Sequence, residues 1–240
     1  MNKIIIYDFD GTLTPYPLPR LEIIEKCGFE KGTRGKEFLD LCKKRVTEKN
    51  VDLYAAVFDV TIEILNNNKI KITDDIISLG AQNIEYNPGV EEYLEMLNKN
   101  NISNYLLSSG VKVYLDRVAV SKYFKKIYAT TFKYNNDEAY DVDFLMTDKN
   151  KVIAIKEIVE SNNLKDCSNI IYIGDGFTDY YAMEYVKNND GTSIFVYNNF
   201  DSKDIALMKE KNVVDYFVKA DYSSNSELNN IIKKLCNIDN

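Results

Sequence analysis

The chain has 240 residues, 45 % of them hydrophobic, so it can bury a core large enough to fold without disulfides or structural metals. It contains no histidine, which excludes Ser-His and Cys-His nucleophile pairs and metal sites with imidazole ligands. The formal net charge of −7 argues against a general attraction to nucleic acid or to anionic membrane surfaces.

The cysteines and the apolar segments indicate the compartment. The four cysteines show no C-x-x-C spacing, and no apolar run approaches the ~20 residues of a membrane span. The amino end has no apolar region typical of a secretory signal. We therefore expect a cytoplasmic protein with neither a membrane nor a nucleic acid as partner, and no pattern indicates its oligomeric state.

The first predicted element is a short apolar strand at residues 3–7, and prolines punctuate the chain after it. Three of them stand at positions 15, 17 and 19, and the fourth at position 88. Proline stiffens connections and disfavours helix in the preceding residue, so we predict that the chain leaves and re-enters a larger body at these places. Apolar residues recur at three-to-four spacing over 38–46 and 53–64, and Thr73 is a plausible start for another helix. Residues 15–84 are therefore predicted to form an all-helical insert.

Beyond the insert, short apolar strands alternate with amphipathic helices. In chain order we predict a helix at 90–98, a strand at 105–107, a helix at 114–123, a strand at 127–131, a hairpin turning at 135–136, a helix from 151, a strand at 170–173, another helix, and strands at 193–197 and 216–218. This alternation predicts an α/β fold, with a Rossmann-like, mainly parallel sheet flanked by helices.

Polar residues cluster where the predicted strands end. Because ligands of such sheets bind beyond the carboxyl ends of the strands, these side chains are expected to converge on one crevice. Clustered carboxylates repel, and a hard cation such as Mg²⁺, which prefers oxygen ligands, would keep them ionised. A metal beside a hydroxyl and a lysine suits a phosphoryl group. The residues concerned are Asp8, Asp10, Ser108, Ser109, Lys151, Asp175 and Asp179.

Taken in order, these motifs resemble the four-motif pattern of the haloacid dehalogenase (HAD) superfamily of phosphohydrolases. The resemblance spans residues 4 to about 200, and the helical insert between the first two motifs is similar to a type C1 cap. The spacings look most like the phosphoserine phosphatase-like branch. The resemblance implies a catalytic core at 1–14 and 85–240 and a cap at 15–84. The motifs are Asp8-x-Asp10-Gly11-Thr12-Leu13-Thr14, Ser108-Ser-Gly, Lys151 and Gly174-Asp175-Gly-x-x-Asp179.

The resemblance also implies a role for each motif residue. Asp8 would be the nucleophile that forms an aspartyl-phosphate, and Asp10 the acid and base. Asp10 argues for a phosphatase, because the halide leaving group of a dehalogenase needs no proton. The remaining implied roles are phosphate binding by Ser108, Ser109 and Lys151, Mg²⁺ binding by Asp8, the backbone carbonyl of Asp10 and Asp175, and support from Thr12, Gly176 and Asp179. This scheme requires oxygens of Asp8 and Asp175 to lie roughly one coordination sphere apart, no further than ~6 Å, for ligands that each lie ~2.1 Å from Mg²⁺.

Some assignments stay open. Lys149 and Lys156 are alternatives to Lys151, which we favour for its spacing from the fourth motif. In the cap, residues 31–49 carry seven basic and three acidic side chains. A solvated helix face is the simpler interpretation of this charge. The functional alternative is that Arg34 or Arg45 reaches the far end of the substrate.

One departure from the branch concerns the substrate. Phosphoserine phosphatases carry a glutamate seven residues after the second aspartate to hold the ammonium group, and here that position is Pro17. This argues against phosphoserine, and Glu22 replaces that glutamate only if the proline-rich entry takes a different path.

We expect a Mg²⁺-dependent phosphatase acting on a small phosphorylated metabolite. One alternative is a phosphotransferase that passes the phosphoryl group to an acceptor alcohol. The other is a non-catalytic HAD-fold binding protein, which predicts the loss of Asp8 or Asp10. Both aspartates are present.

Overall fold

The computed structural model describes residues 3–198 and 203–238, and one sheet runs through it. Its strands are β1 (Ile4–Tyr7), β2 (Ser103–Val111), β3 (Lys126–Asn135), β4 (Glu138–Phe144), β5 (Ile170–Gly174), β6 (Thr192–Tyr197) and β7 (Tyr216–Lys219). The spatial order is β4-β3-β2-β1-β5-β6-β7. Every neighbouring pair is parallel except the β3–β4 hairpin. The predicted α/β fold with a mainly parallel sheet is confirmed.

The α-helices of the described residues surround this sheet. They are α1 (Glu22–Lys26), α2 (Lys36–Lys49), α3 (Leu53–Asn67), α4 (Asp74–Ile77), α5 (Val90–Lys99), α6 (Lys112–Leu115), α7 (Asp148–Ser161), α8 (Tyr180–Asn188), α9 (Lys203–Lys211) and α10 (Glu227–Cys236). Within the described ranges, no helix combines the length and the apolar character needed to cross a membrane.

Burial on both faces of the sheet explains the continuous apolar sequence of β1. Ile5 and Tyr7 belong to an apolar cluster that includes residues of α5 and α10. Ile4 and Ile6 belong to a second cluster with residues of α7, α8 and α9. A central parallel strand therefore has no solvent-facing side and needs no polar alternation.

The helices α1 to α4 lie between residues 15 and 84, the range predicted for the insert. Phe38 of α2 and Phe58 of α3 are completely buried in the same cluster as Ile5 and Tyr7. The rings of Phe58 and Phe132 of β3 meet edge to face, with centroids 5.8 Å apart. The insert is thus packed against the sheet, and its division from the core as a separate cap domain remains a prediction.

Several elements differ from their predicted bounds. The helix predicted at 114–123 is divided into α6 and a short 3-10 helix, Ala119–Tyr123, because Val118 takes an extended backbone conformation between them. The β3–β4 turn lies at 136–137, one residue later than predicted. The helix α7 begins at Asp148, so Lys151 lies in its first turn. The helices α1, α9 and α10 were not predicted.

Candidate active site

The sheet register brings three of the motifs side by side. Tyr7, the last residue of β1, pairs with Leu106 of β2 and with Ile173 of β5. The residues that follow are Asp8 after β1, Ser108 on β2 and Asp175 after β5. The backbone N–H of Asp8 continues the pairing by donating to the carbonyl of Ile173 at 2.9 Å. The predicted convergence at one edge of the sheet therefore follows directly from strand order.

The loop after β1 turns sharply and presses against Asp175. Gly11 has a φ of 81°, and a Cβ atom there would lie 2.0 Å from Oδ2 of Asp175. The Thr12 hydroxyl donates to Oδ1 of the same carboxylate at 3.1 Å. Glycine is needed at position 11 both for its left-handed backbone and for this close approach.

Three carboxylates form a compact acidic cluster. One oxygen each from Asp8, Asp175 and Asp179 lies within 4.8 Å of the others. This meets the ~6 Å limit for shared coordination by Asp8 and Asp175. Burial, followed by the charge of Asp8, raises the pKa of Asp175 well above its ordinary value. Burial likewise raises the pKa of Asp8, although Lys151 opposes this effect.

This donor set fits a hard divalent cation. Buried carboxylates that repel one another are stabilised in their ionised form by a positive charge between them. Carboxylate oxygens are the ligands that Mg²⁺ and similar ions accept. Asp8 and Asp175 can therefore hold a metal ion, with Asp179 close by.

Lys151 is the lysine that the structure places in the site. It is completely buried, with Nζ 2.6 Å from Oδ1 of Asp179 and 3.4 Å from Oδ1 of Asp8. Burial opposes its charge, but these two carboxylates outweigh that penalty and raise the pKa of Lys151. The alternatives lie elsewhere, since Lys149 and Lys156 rest over the rings of Tyr181 and Tyr185.

Asp10 lies close to Asp8 and to the Ser-Ser-Gly motif of β2. The Asp10 carboxyl is almost fully buried, and burial followed by the charge of Asp8 raises its pKa to about 8. A Cβ atom on Gly110 would lie 3.6 Å from Oδ2 of Asp10, so the two motifs are in contact range. The Ser108 hydroxyl accepts from the Gly110 N–H at 3.0 Å. The buried Ser109 hydroxyl has no hydrogen-bond partner among the described residues.

A cavity of about 550 Å³ is lined mostly by residues of the insert, and none of the predicted catalytic, phosphate-binding or metal-binding residues outside the insert is among them. Arg34 and Tyr114 line it and interact electrostatically with Asp10. Arg34 stacks on the ring of Tyr16 at 4.3 Å and donates through Nε to the carbonyl of Leu18 at 2.8 Å. None of the described carboxylates forms an ion pair with Arg34. Glu22 also lines the cavity, so the proline-rich segment does bring it to this side of the molecule.

Arg45, the other predicted cap residue, lies elsewhere. Its guanidinium forms ion pairs with Asp59 and Glu63, which link α2 to α3. It is not among the residues that line the cavity. The structure therefore places Arg45 between two helices, and of the two predicted arginines only Arg34 lines the cavity.

Sequence reasoning missed several residues that shape the site. Asn87 donates from Nδ2 to the carbonyls of Thr12 and Thr14 at 2.8 and 3.1 Å, and the Tyr222 hydroxyl donates to the Thr12 carbonyl at 3.1 Å. These bonds clamp the loop after β1. The only sequence signal was the Asn-Pro-Gly turn at position 87.

Tyr54 of the insert was weighed from the sequence as a pocket-lining alternative. Burial, followed by the charges of Asp8, Asp10, Asp175 and Asp179, raises the pKa of Tyr54 on α3 well above its ordinary value, so Tyr54 lies within electrostatic range of the acidic site. Its helical spacing in the sequence favoured a core position instead.

Comparisons with known proteins agree with this geometry. The sequence profile of the haloacid dehalogenase-like hydrolases matches residues 5–184. An uncharacterized protein of Borreliella burgdorferi is 25 % identical over 281 residues, covering 97 % of this chain and 96 % of that protein.

Solved structures share the fold at low sequence identity. A HAD family hydrolase from Salmonella enterica serovar Typhi gives a TM-score of 0.70 at 16 % identity, covering 99 % of this chain and 72 % of that one. A substrate-bound phosphoserine phosphatase gives a TM-score of 0.66 at 17 % identity, covering 98 % of both chains. The profile match runs from β1 into α8 and includes all four motifs. The chain therefore belongs to the haloacid dehalogenase-like hydrolase family.

Proposed function

We propose that this chain is a Mg²⁺-dependent phosphatase that hydrolyses a small phosphorylated metabolite through an aspartyl-phosphate on Asp8. The observation that carries the proposal is the buried cluster in which Asp8 faces both Lys151 and the carboxylate of Asp175. Membership of a hydrolase family supports the reaction class.

Asp8, Asp175 and the backbone carbonyl of Asp10 would hold the metal, as the motif implies. When bound, Mg²⁺ neutralises negative charge on the phosphoryl oxygens. Lys151 would add a second positive charge on the same group, and Ser108 would donate a hydrogen bond to it.

The reaction would proceed in two displacements at phosphorus. An oxygen of Asp8 attacks phosphorus while the ester P–O bond breaks, and the departing oxygen takes the proton of Asp10. Asp10 then removes a proton from water, which attacks phosphorus and releases inorganic phosphate and the free Asp8 carboxylate. The raised pKa of Asp10, about 8, supports a carboxyl that carries a proton near neutral pH.

The leaving group would extend towards the cavity lined by Arg34 and Tyr114, because both residues interact electrostatically with Asp10, which would protonate that group. Arg34 would contact this part of the substrate. The absence of a carboxylate partner for Arg34 among the described residues supports a leaving group with an anionic or strongly polar substituent.

Hydrolysis of p-nitrophenyl phosphate tests the proposal. We expect Asp8→Asn to abolish turnover and EDTA to suppress it in the parent protein, with activity restored by added Mg²⁺. Asp143→Asn, an exposed aspartate on β4, is the matched control and should keep full activity. Full activity of Asp8→Asn, or of the parent in EDTA, would refute the proposal.

A further inference from the structure

The strand β5 contributes a residue to the site that the motifs do not include. Tyr172 is completely buried, and its hydroxyl donates to Oδ1 of Asp179 at 2.6 Å. The same oxygen accepts from Nζ of Lys151 at 2.6 Å. One carboxylate oxygen thus joins a tyrosine from the sheet to the lysine that faces Asp8.

The other oxygen of Asp179 is also occupied. Oδ2 accepts from the backbone N–H groups of Asp175 and Gly176 at 3.2 and 3.3 Å. A Cβ atom on Gly174 would lie 2.4 Å from this oxygen, so the backbone closes directly on the carboxylate. A carboxylate offers about four acceptor positions, and here four donors surround it. Hydrogen bonds to both oxygens therefore fix the orientation of the Asp179 carboxylate.

From this arrangement we infer that Tyr172 is a positioning residue, which orients Asp179 so that Lys151 stays poised between Asp179 and Asp8. Without the tyrosine hydroxyl, the negative charge on Oδ1 would be compensated by Lys151 alone. The ammonium group would then be held more tightly by Asp179 and drawn away from Asp8 and from a bound phosphoryl group. Burial and the neighbouring carboxylates keep the pKa of Tyr172 well above its ordinary value, so the phenol remains a neutral donor.

The structure offers a matched control. Tyr105 of β2 and Tyr172 of β5 both pair with Ile6 of β1, one on each side, and lie in the same apolar cluster. Tyr105 is also buried, but its hydroxyl bonds with Asn162 at the far end of α7. Tyr105→Phe therefore removes a buried tyrosine hydroxyl from the same sheet face without touching the site.

The test compares the parent, Tyr172→Phe, Asp179→Asn, the double variant and Tyr105→Phe. The inference rests on the proposed phosphatase function. Two quantities are therefore measured for each protein: kcat/KM for p-nitrophenyl phosphate and the inhibition constant of inorganic phosphate. We expect Tyr172→Phe to lower kcat/KM and weaken phosphate inhibition by about 10-fold each, the equivalent of one hydrogen bond to a charged group. In the Asp179→Asn background the same change should have no further effect. Tyr105→Phe should keep the parent values, with a loss of thermal stability similar to that of Tyr172→Phe.

Unchanged kinetics and phosphate inhibition in Tyr172→Phe would overturn the inference. Equal losses from Tyr172→Phe in the parent and in the Asp179→Asn background would overturn it as well. If Asp179→Asn turns over too slowly for kinetics, calorimetric measurement of phosphate binding gives the same comparison among the parent, the two single variants and the double variant. An inactive parent would overturn the proposed function and this inference together, whereas an active parent with an unaffected Tyr172→Phe would overturn the inference alone.

Discussion

The buried lysine shows how single residues make this site possible. A buried ammonium group is destabilising unless it is paired and hydrogen-bonded, and Lys151 has two carboxylates within 3.4 Å. The carboxylates in turn are buried and repel one another, so each charge in the site depends on its neighbours. Removal of one member leaves an uncompensated charge, which is why the motif residues act as a unit.

At the same scale, Gly11 and Gly28 form an informative pair. Both have a positive φ, but a Cβ atom on Gly11 would overlap Asp175, whereas nothing lies within 4 Å of one on Gly28. We expect Gly28→Ala to lower the free energy of unfolding by ~1–2 kcal/mol through backbone strain and to keep its activity. Gly11→Ala should lose phosphatase activity as well, because Asp175 must move. Urea denaturation and the p-nitrophenyl phosphate assay measure both effects, and an active Gly11→Ala would contradict the described contact.

The sequence reveals some site residues and hides others for a physical reason. Asp8, Asp10 and Asp175 follow apolar strands directly, so strand order predicts where they lie. The Tyr222 hydroxyl bonds to Thr12, 210 residues away, and the Tyr172 hydroxyl bonds to Asp179 across the turn that follows β5. Neither pairing leaves a periodic pattern in the sequence. A tyrosine in a buried strand is expected to be a core residue. The hydrogen-bond partner of its hydroxyl can be identified only from the structure.

At the scale of elements, an aromatic contact joins α3 to the sheet. Phe58 is completely buried, and its ring meets that of Phe132 on β3. We expect Phe58→Ala to lower the free energy of unfolding by ~3–5 kcal/mol, the usual range for a buried phenylalanine. Leu53→Ala on the same helix is the control, since Leu53 is 37 % exposed and should change stability by much less. Equal losses in urea denaturation would show that α3 is not anchored in this way.

Apolar periodicity in the sequence led to some of the elements and not to others. The strand β1 and the helices α2 and α3 have clear apolar patterns and appear where they were expected. Segment 114–123 has helical spacing, but the extended backbone at Val118 interrupts it. Helices α9 and α10 cover opposite faces of the sheet near its carboxyl-terminal strands. For α10 a signal was present and was missed, because Ser226 caps its first turn and its apolar residues recur at helical spacing.

For the whole molecule, the insert and the core share one apolar cluster. Residues of α2 and α3 belong to the same cluster as one face of the sheet, so the two parts are expected to unfold in a single transition. The helices α1 to α4 lie between the proline cluster at 15–19 and Pro88, and the exact bounds of the insert stay a prediction. The spacing of residues in the sequence does not show how closely the insert packs against the sheet, because contacts between segments far apart in the chain leave no periodic pattern.

Two buried thiols can test this cooperativity. Cys42 lies in α2, and Cys167 lies in the cluster on the opposite face of the sheet. Burial raises the pKa of both thiols to about 11, so at pH 8 they are protonated and unreactive in the folded state. We expect pulsed alkylation in increasing urea to label both residues at the same midpoint. Labelling of Cys42 at a clearly lower urea concentration would mean that the insert unfolds independently.

The identity of the residue that carries the phosphoryl group tests the central claim most directly. The protein is mixed with p-nitrophenyl phosphate and Mg²⁺, quenched in acid during the first turnover, digested and mapped by mass spectrometry. We predict one phosphorylated peptide, modified on Asp8 and missing from the Asp8→Asn variant. Turnover with the phosphoryl group on another residue, or with no phosphorylated peptide at any quench time, would contradict the proposed mechanism.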